Sequence, residues 1–275
     1  MGTLSWSPAH GRYGKNAGAQ ALGVALAIHG LNFAPQGMAP VVACLAAAGV
    51  DCLTLSLHGH GDNYLPLPNV DEDTSRLCSF TRITLQLWCD EVTAAYAIAR
   101  ARADELGVPL LLTGYSLGAL IGSVVVVTEP QVRVDRLLLF APALALPPHG
   151  FQYWLAERAP RWVLPSLSPR RYRANRGTPG AAYAAAYTAI SVLEAGDLLR
   201  LNVPALVFID PRDEIVSSSG VESIAKQLSA WTYVPVQKSD GTNGLVYHHL
   251  VIGQDAVGKD AWSEITAQIR KFVNA

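Results

Sequence analysis

Short, nearly uninterrupted apolar runs alternate along this chain with longer stretches in which apolar residues return at helical spacing. The runs Leu22–His29, Cys52–Leu57, Leu110–Thr113, Arg136–Phe140, Ala205–Asp210 and Thr232–Val236 have the length and continuity of strands buried on both faces. Between them the spacing predicts helices over Gly37–Ala48, Ile83–Leu106, Leu117–Val127, Ser218–Ala230 and Lys259–Phe272. Strand and helix in alternation call for an α/β fold, a mostly parallel sheet flanked by helices.

One region breaks the rhythm. From Leu144 to Leu201 a Pro- and Arg-rich piece, "PPHGFQYWLAERAPRWVLPSLSPRRYRANRGTPG", runs into a helical "AAYAAAYTAISVLEAGDLLR" with no convincing strand. That is too long for an ordinary connection. The expectation is a core of residues 1–143 and 202–275 with a helical cap at 144–201, inserted after the strand ending near Phe140. Such a cap would lie over the carboxyl edge of the sheet, where open α/β folds bind ligands. Its aromatics, Phe151, Tyr153, Trp154, Trp162, Tyr183 and Tyr187, would line an apolar pocket. The alternative is an added surface lobe.

Composition narrows the partners. The 275 residues are 50% hydrophobic, enough for a large core, and the net charge of -1 comes without any run of like charges. Nothing there attracts nucleic acid or an anionic membrane, so small neutral molecules fit best. Cys44, Cys52, Cys78 and Cys89 sit in mainly apolar surroundings without CxxC spacing and read as buried free thiols. The opening "MGTLSWSPAHGRYGKN" lacks a basic region followed by an apolar core. A cytoplasmic protein without stable membrane insertion is therefore expected. Oligomeric state leaves no mark in the sequence.

The chemistry centres on "LLLTGYSLGAL", residues 110–120. A predicted strand meets a predicted helix at Ser116, and a serine there needs a cramped backbone that only small neighbours at positions 114 and 118 allow. This turn lifts a hydroxyl clear of the sheet and sets it beside unpaired amides at a helix N-terminus. A serine hydroxyl is a weak nucleophile at neutral pH, so it needs a base and a third group to orient that base.

Here the residues resemble the α/β-hydrolase fold serine hydrolases, and within them the branch of monoglyceride lipases, lysophospholipases and carboxylesterases. The likeness runs from "AIHGLNFAPQGM" through "LSLHGHGDN", "GYSLGAL" and "VFIDPRDEIVS" to "YHHLVIG". It implies Ser116 as nucleophile. The family's acid, followed three residues later by an aliphatic, falls on Asp213 with Val216, leaving Asp210 as structural. The base falls on one of the doublet His248 and His249: the residue five positions on favours His249, the preceding tyrosine His248. His249 is taken as the base with His248 as the alternative. In "HGLN" the backbone NH of Leu31 corresponds to one oxyanion donor, that of Leu117 to the other, while His29 and Gly30 shape the loop.

"HGHGDN" carries a rival reading, because H-x-H-x-D resembles part of a metallo-hydrolase ligand run. The resemblance to a serine hydrolase makes it instead a structural turn, with His58 and Asn63 in place of the family's arginine and serine. No metal and no cofactor is expected, and no nucleotide motif occurs. The implied activity is cleavage of short- to medium-chain acyl esters, monoacylglycerols or lysolipids among them, through an acyl-enzyme. A thioesterase, lactonase or amidase with the same triad, a non-catalytic binding protein of this fold, and a metal-dependent hydrolase are the alternatives.

Overall fold

The computed structural model describes residues 2–9, 21–146, 159–166, 168–238 and 247–275. Among these, seven strands form one sheet: β1 (Thr3–Ser7), β2 (Gly23–Ile28), β3 (Val50–Ser56), β4 (Leu110–Tyr115), β5 (Arg136–Phe140), β8 (Ala205–Ile209) and β9 (Trp231–Pro235). Their order is β1-β3-β2-β4-β5-β8-β9, parallel throughout except that β1 pairs antiparallel with β3. Every residue of β2, β4 and β8 is buried. That is the signature of strands covered on both faces, and it explains why their sequences are continuous rather than alternating. The mostly parallel sheet expected from the apolar runs is present.

The helices are α1 (Ala39–Ala47), α2 (Glu72–Phe80), α3 (Leu85–Leu106), α4 (Leu117–Thr128), α5 (Gly180–Ala195), α6 (Ser218–Gln227), α7 (Gln254–Val257) and α8 (Lys259–Asn274). The strongest local signals are at α3, where the Thr84 side chain accepts from Leu87 N at the start and Gly107, at φ 65°, closes the end. α3 packs on β2 and α4, α4 on β4, and α1 on β3 and α8.

Three features depart from the expectation. β1 was not foreseen because "TLSWS" is a short, partly exposed edge strand with little apolar content. α2 is polar, "EDTSRLCSF", and is held by the Asp71 carboxylate accepting from Thr74 N. The region 144–201 is not purely helical: β6 (Val163–Pro165) and β7 (Gly177–Pro179) form a small antiparallel pair ahead of α5. Three-residue strands ending in proline are too short to show a period. The four cysteines are free, Cys44 and Cys52 buried and the other two half-buried. Among the described residues no helix is long and apolar enough to cross a membrane.

The chain crosses from β3 back over β2 to β4, so β2 and β4 flank the point where strand order reverses. Open parallel sheets leave a crevice there, outside the carboxyl ends of the strands. Ile28, the last residue of β2, pairs with Gly114 of β4. The loop His29–Asn32 and the turn at Ser116 thus leave the sheet side by side.

Candidate active site

Ser116 sits between β4 and α4 with φ 51° and ψ −113°, a conformation rarely tolerated by a residue with a side chain. The surroundings hold it: Ser116 N donates to Phe140 O at 2.9 Å, and Ser116 O accepts from Leu120 N and Ala143 N, both at 3.2 Å. The two flanking glycines are required by close approach. A Cβ on Gly118 would stand 2.3 Å from Ile28 O, and one on Gly114 would stand 2.5 Å from Ala119 Cα. α4 therefore starts hard against the carboxyl end of β2, and only a glycine at 118 lets it come so near.

His249 lies across the crevice. Its Nε2 is 2.8 Å from Ser116 Oγ and its Nδ1 is 2.8 Å from Asp213 Oδ2. Asp213 is fully buried on its side chain. Its Oδ1 accepts from Ile215 N and Val216 N, both at 2.8 Å, which pins the carboxylate in the loop after β8. A carboxylate so held takes the Nδ1 proton as a hydrogen bond, leaving the Nε2 lone pair for the serine hydroxyl.

The neighbouring histidine is engaged elsewhere. His248 Nδ1 is 2.9 Å from Asp210 Oδ2, and Asp210 also accepts from Arg212 N at 2.9 Å. Burial opposes the Asp210 charge, but hydrogen bonds from Arg212 N and the His248 ring, with the Arg212 guanidinium, hold its carboxyl below the usual range. The doublet is split, one histidine to each aspartate, and only His249 reaches Ser116.

The HG loop is fixed just as firmly. Leu57 N donates to His29 Nε2 at 3.0 Å, and His29 Nδ1 turns to Gly30 O at 2.8 Å. Asn32, at φ 48° and buried, donates from its backbone to His60 Nε2 at 3.0 Å and from its side chain to Asn175 O and Thr178 Oγ1. Its Oδ1 accepts from Asn175 N at 2.7 Å. Among the described residues neither the Leu31 nor the Leu117 amide has an acceptor; both residues border the same cavity as Ser116. Two free N–H groups beside a serine oxygen make a seat for developing negative charge.

In the HGHGDN turn the His60 ring, the His58 amide and the Asn63 side chain are committed to the protein. His60 is buried, with its Nε2 lone pair on Asn32 N and its ring 4.6 Å from the rings of both His29 and Phe80. His58 N and Asn63 Nδ2 both donate to the buried Glu91 at 2.8 Å. Among the described residues no cluster of three metal-ligating side chains exists. Asn32, Asn175 and Glu91 were missed in the sequence, and no motif marks them. They matter only through contacts between distant segments.

His29 and His60 also make a pH-dependent element. Burial pushes His29 down to about 4, partly offset by the Gly30 carbonyl, and burial with the neighbouring His29 pushes His60 well below its usual value. Both rings accept a backbone N–H and so must stay neutral in the folded state. An unfolded histidine takes a proton near 6.5, the folded His29 only near 4. Stability is therefore full above about pH 6.5 and lost as pH falls through that window, by about 3 kcal/mol for His29. Most carboxylates titrate lower, so denaturant unfolding at stepped pH should already weaken between about pH 6.5 and pH 5. A flat profile there would sink the prediction.

A cavity of about 290 Å³ opens over Ser116 and His249. Its apolar lining includes Leu120, Leu146 and Ile190, and its polar lining Ser166, Ser168 and Thr178. Tyr183, Ala186, Tyr187 and Ile190 of α5 all line it, the spacing of one helical face. Of the six aromatics expected around a pocket, Tyr183 and Tyr187 line this one. Trp162 is instead 63% exposed, and Phe151, Tyr153 and Trp154 lie outside the described residues.

Residues 19–187 match the family model Hydrolase_4, described as serine aminopeptidase, S33. No curated protein sequence matches the chain. A structure from the metagenome-derived lipolytic enzymes LipS and LipT is 19% identical, with TM-score 0.72 and coverage of 98% of this chain and 96% of the other. A soluble variant of monoglyceride lipase from Saccharomyces cerevisiae, bound to a substrate analogue, is 13% identical with TM-score 0.73, covering 98% and 90%. Paleococcus ferrophilus monoacylglycerol lipase is 16% identical with TM-score 0.69, covering 99% and 98%. Identities this low speak for the fold.

Proposed function

The chain belongs to the Hydrolase_4 (serine aminopeptidase, S33) family and is a serine hydrolase of the α/β-hydrolase fold; from that premise we propose that it cleaves carboxylic esters through an acyl-enzyme on Ser116. The observation that carries this reading is the relay from Ser116 Oγ to His249 Nε2 and from His249 Nδ1 to Asp213 Oδ2, both hydrogen bonds 2.8 Å long, with Ser116 and His249 lining a cavity. His249 takes the hydroxyl proton as Oγ bonds to the ester carbonyl carbon. The amides of Leu31 and Leu117 receive the oxyanion. The imidazolium, steadied by Asp213, returns its proton to the alkoxide as the carbon–oxygen bond breaks. Water, activated by the same imidazole, then adds to the acyl carbon and frees Ser116 with the acid product.

Residues 144–201 serve in this reading as a cap between the core segments 1–143 and 202–275, which is supported by Ser166, Thr178 and one face of α5 lining the cavity together with Ser116. About 290 Å³ is at the small end of ligand sites, which run from about 300 to 1,000 Å³. That size and the apolar lining suit a short- to medium-chain acyl group. Similar structures named monoglyceride lipase and monoacylglycerol lipase add monoacylglycerols to the proposed substrates.

The family's descriptor raises aminopeptidase activity as a second reading. A substrate ammonium would need a carboxylate in the cavity. Glu214 borders it, but both its oxygens already accept backbone N–H groups, so the ester reading is preferred. A chain-length series of nitrophenyl esters run beside aminoacyl nitroanilides decides between them. The expected result is turnover of the esters with a short- to medium-chain optimum and little of the anilides. Preference for aminoacyl anilides, or no labelling of Ser116 by a fluorophosphonate, would overturn the proposal.

A further inference from the structure

Asp213 and Glu214 are consecutive, and both grip the same histidine at different places. Asp213 holds the His249 ring. Glu214 holds the backbone: its Oε1 accepts from His248 N at 3.1 Å and its Oε2 from His249 N at 3.0 Å. One carboxylate thus takes two successive peptide amides in a fork, the geometry in which a carboxylate binds most firmly. The flanking contacts complete the hold. Lys238 Nζ donates to Tyr247 O, the His248 ring is tied to Asp210, and Tyr115 OH approaches His249 O at 3.4 Å. Both backbone polar groups of His249 are thereby met by side chains from other segments.

The consequence is geometric. With only the ring anchored, rotation of the backbone at residues 248 and 249 would swing Nε2 away from Ser116 while Nδ1 kept its bond to Asp213. Two anchors, one at the ring and one at the peptide, leave the ring no such freedom. We propose that Glu214 is a positioning residue for His249, its carboxylate fork on the His248 and His249 amides setting the distance from imidazole to Ser116. This rests on the esterase reading above. Glu214 acts on the reaction through His249 and does not itself contact the reacting atoms.

Its position makes the inference testable, because the residue is exposed and stabilises no apolar core. The experiment compares wild type with Glu214→Gln, Glu214→Ala and Glu222→Ala. Glu222, on α6 and paired with Lys226, controls for loss of a surface carboxylate. Ester kcat and KM, the rate of Ser116 labelling by a fluorophosphonate, and the thermal midpoint are measured for each. Gln keeps one acceptor oxygen and loses the other, so kcat should fall about tenfold; Ala loses both and should fall about 100-fold, the scale expected for a misplaced catalytic group. The labelling rate should fall in parallel, with KM within about twofold of wild type and the thermal midpoint unchanged. Glu222→Ala should match wild type throughout.

Unchanged kcat and labelling in both Glu214 variants would overturn the inference while leaving the esterase reading intact. A rise in KM with kcat unchanged would also overturn it, assigning the carboxylate to substrate contact. A kcat loss matched by a lowered thermal midpoint in both variants would reduce Glu214 to a structural prop. Failure of the wild type itself to label at Ser116 would remove the esterase reading first, and this inference with it.

Discussion

Replacing Ser116 by alanine is expected to lower ester turnover by about 10⁶-fold, the cost of removing the proposed nucleophile from a unit that works only when complete. The protein should remain folded. The elbow is held by backbone contacts, from Phe140 O to Leu120 N and Ala143 N, and by Gly118, which admits α4 to β2; none uses the hydroxyl. Alanine accepts the φ of 51° at a cost similar to that of serine, since both carry a Cβ and no β-branch. Thermal melting and ester assays on the same preparation check both halves. A variant that keeps wild-type turnover would show that the acyl group travels elsewhere.

The second large effect separates the two adjacent histidines. His249→Ala should cost about as much as Ser116→Ala, on the order of 10⁶, and the double variant should be no worse than either single one, because the residues act as one device. His248→Ala should retain turnover within about tenfold. Its ring contacts Asp210 rather than the serine, and the His248 amide that Glu214 holds survives the change; tenfold is on the order of what one lost hydrogen bond to a charged group costs. Steady-state assays of the three variants suffice. The opposite ranking, with His248→Ala inactive and His249→Ala active, would reverse the assignment of the base and with it the pairing to Asp213.

What could be read from the chain itself has a common cause. β2, β4, β5 and β8 announce themselves because each lies in a parallel sheet buried on both faces, which requires unbroken apolar runs. The elbow announces itself because Gly114 and Gly118 answer a local steric demand at fixed spacing around Ser116. β6 and β7 stayed hidden in the Pro-rich region because three residues carry no period, and β1 because an edge strand need not be apolar. The choice between His248 and His249 was open for a similar reason. Neighbours on a chain share their local sequence, and a one-residue step in the loop exchanges which ring faces which aspartate.

Local rules acting over a few residues were enough to read the alternation of strands and helices and the turn that displays Ser116, and the family resemblance narrowed the acids and imidazoles of the proposed relay to Asp213 and the pair His248 and His249. The tertiary structure alone decided that His249 reaches Ser116 across 133 positions of chain, that Asn32 ties the HG loop to Asn175 and Thr178, and that Glu214 grips the histidine backbone. Those contacts depend on strand order and on where loops leave the sheet, and no local pattern of side chains encodes a distance between segments that meet only after folding.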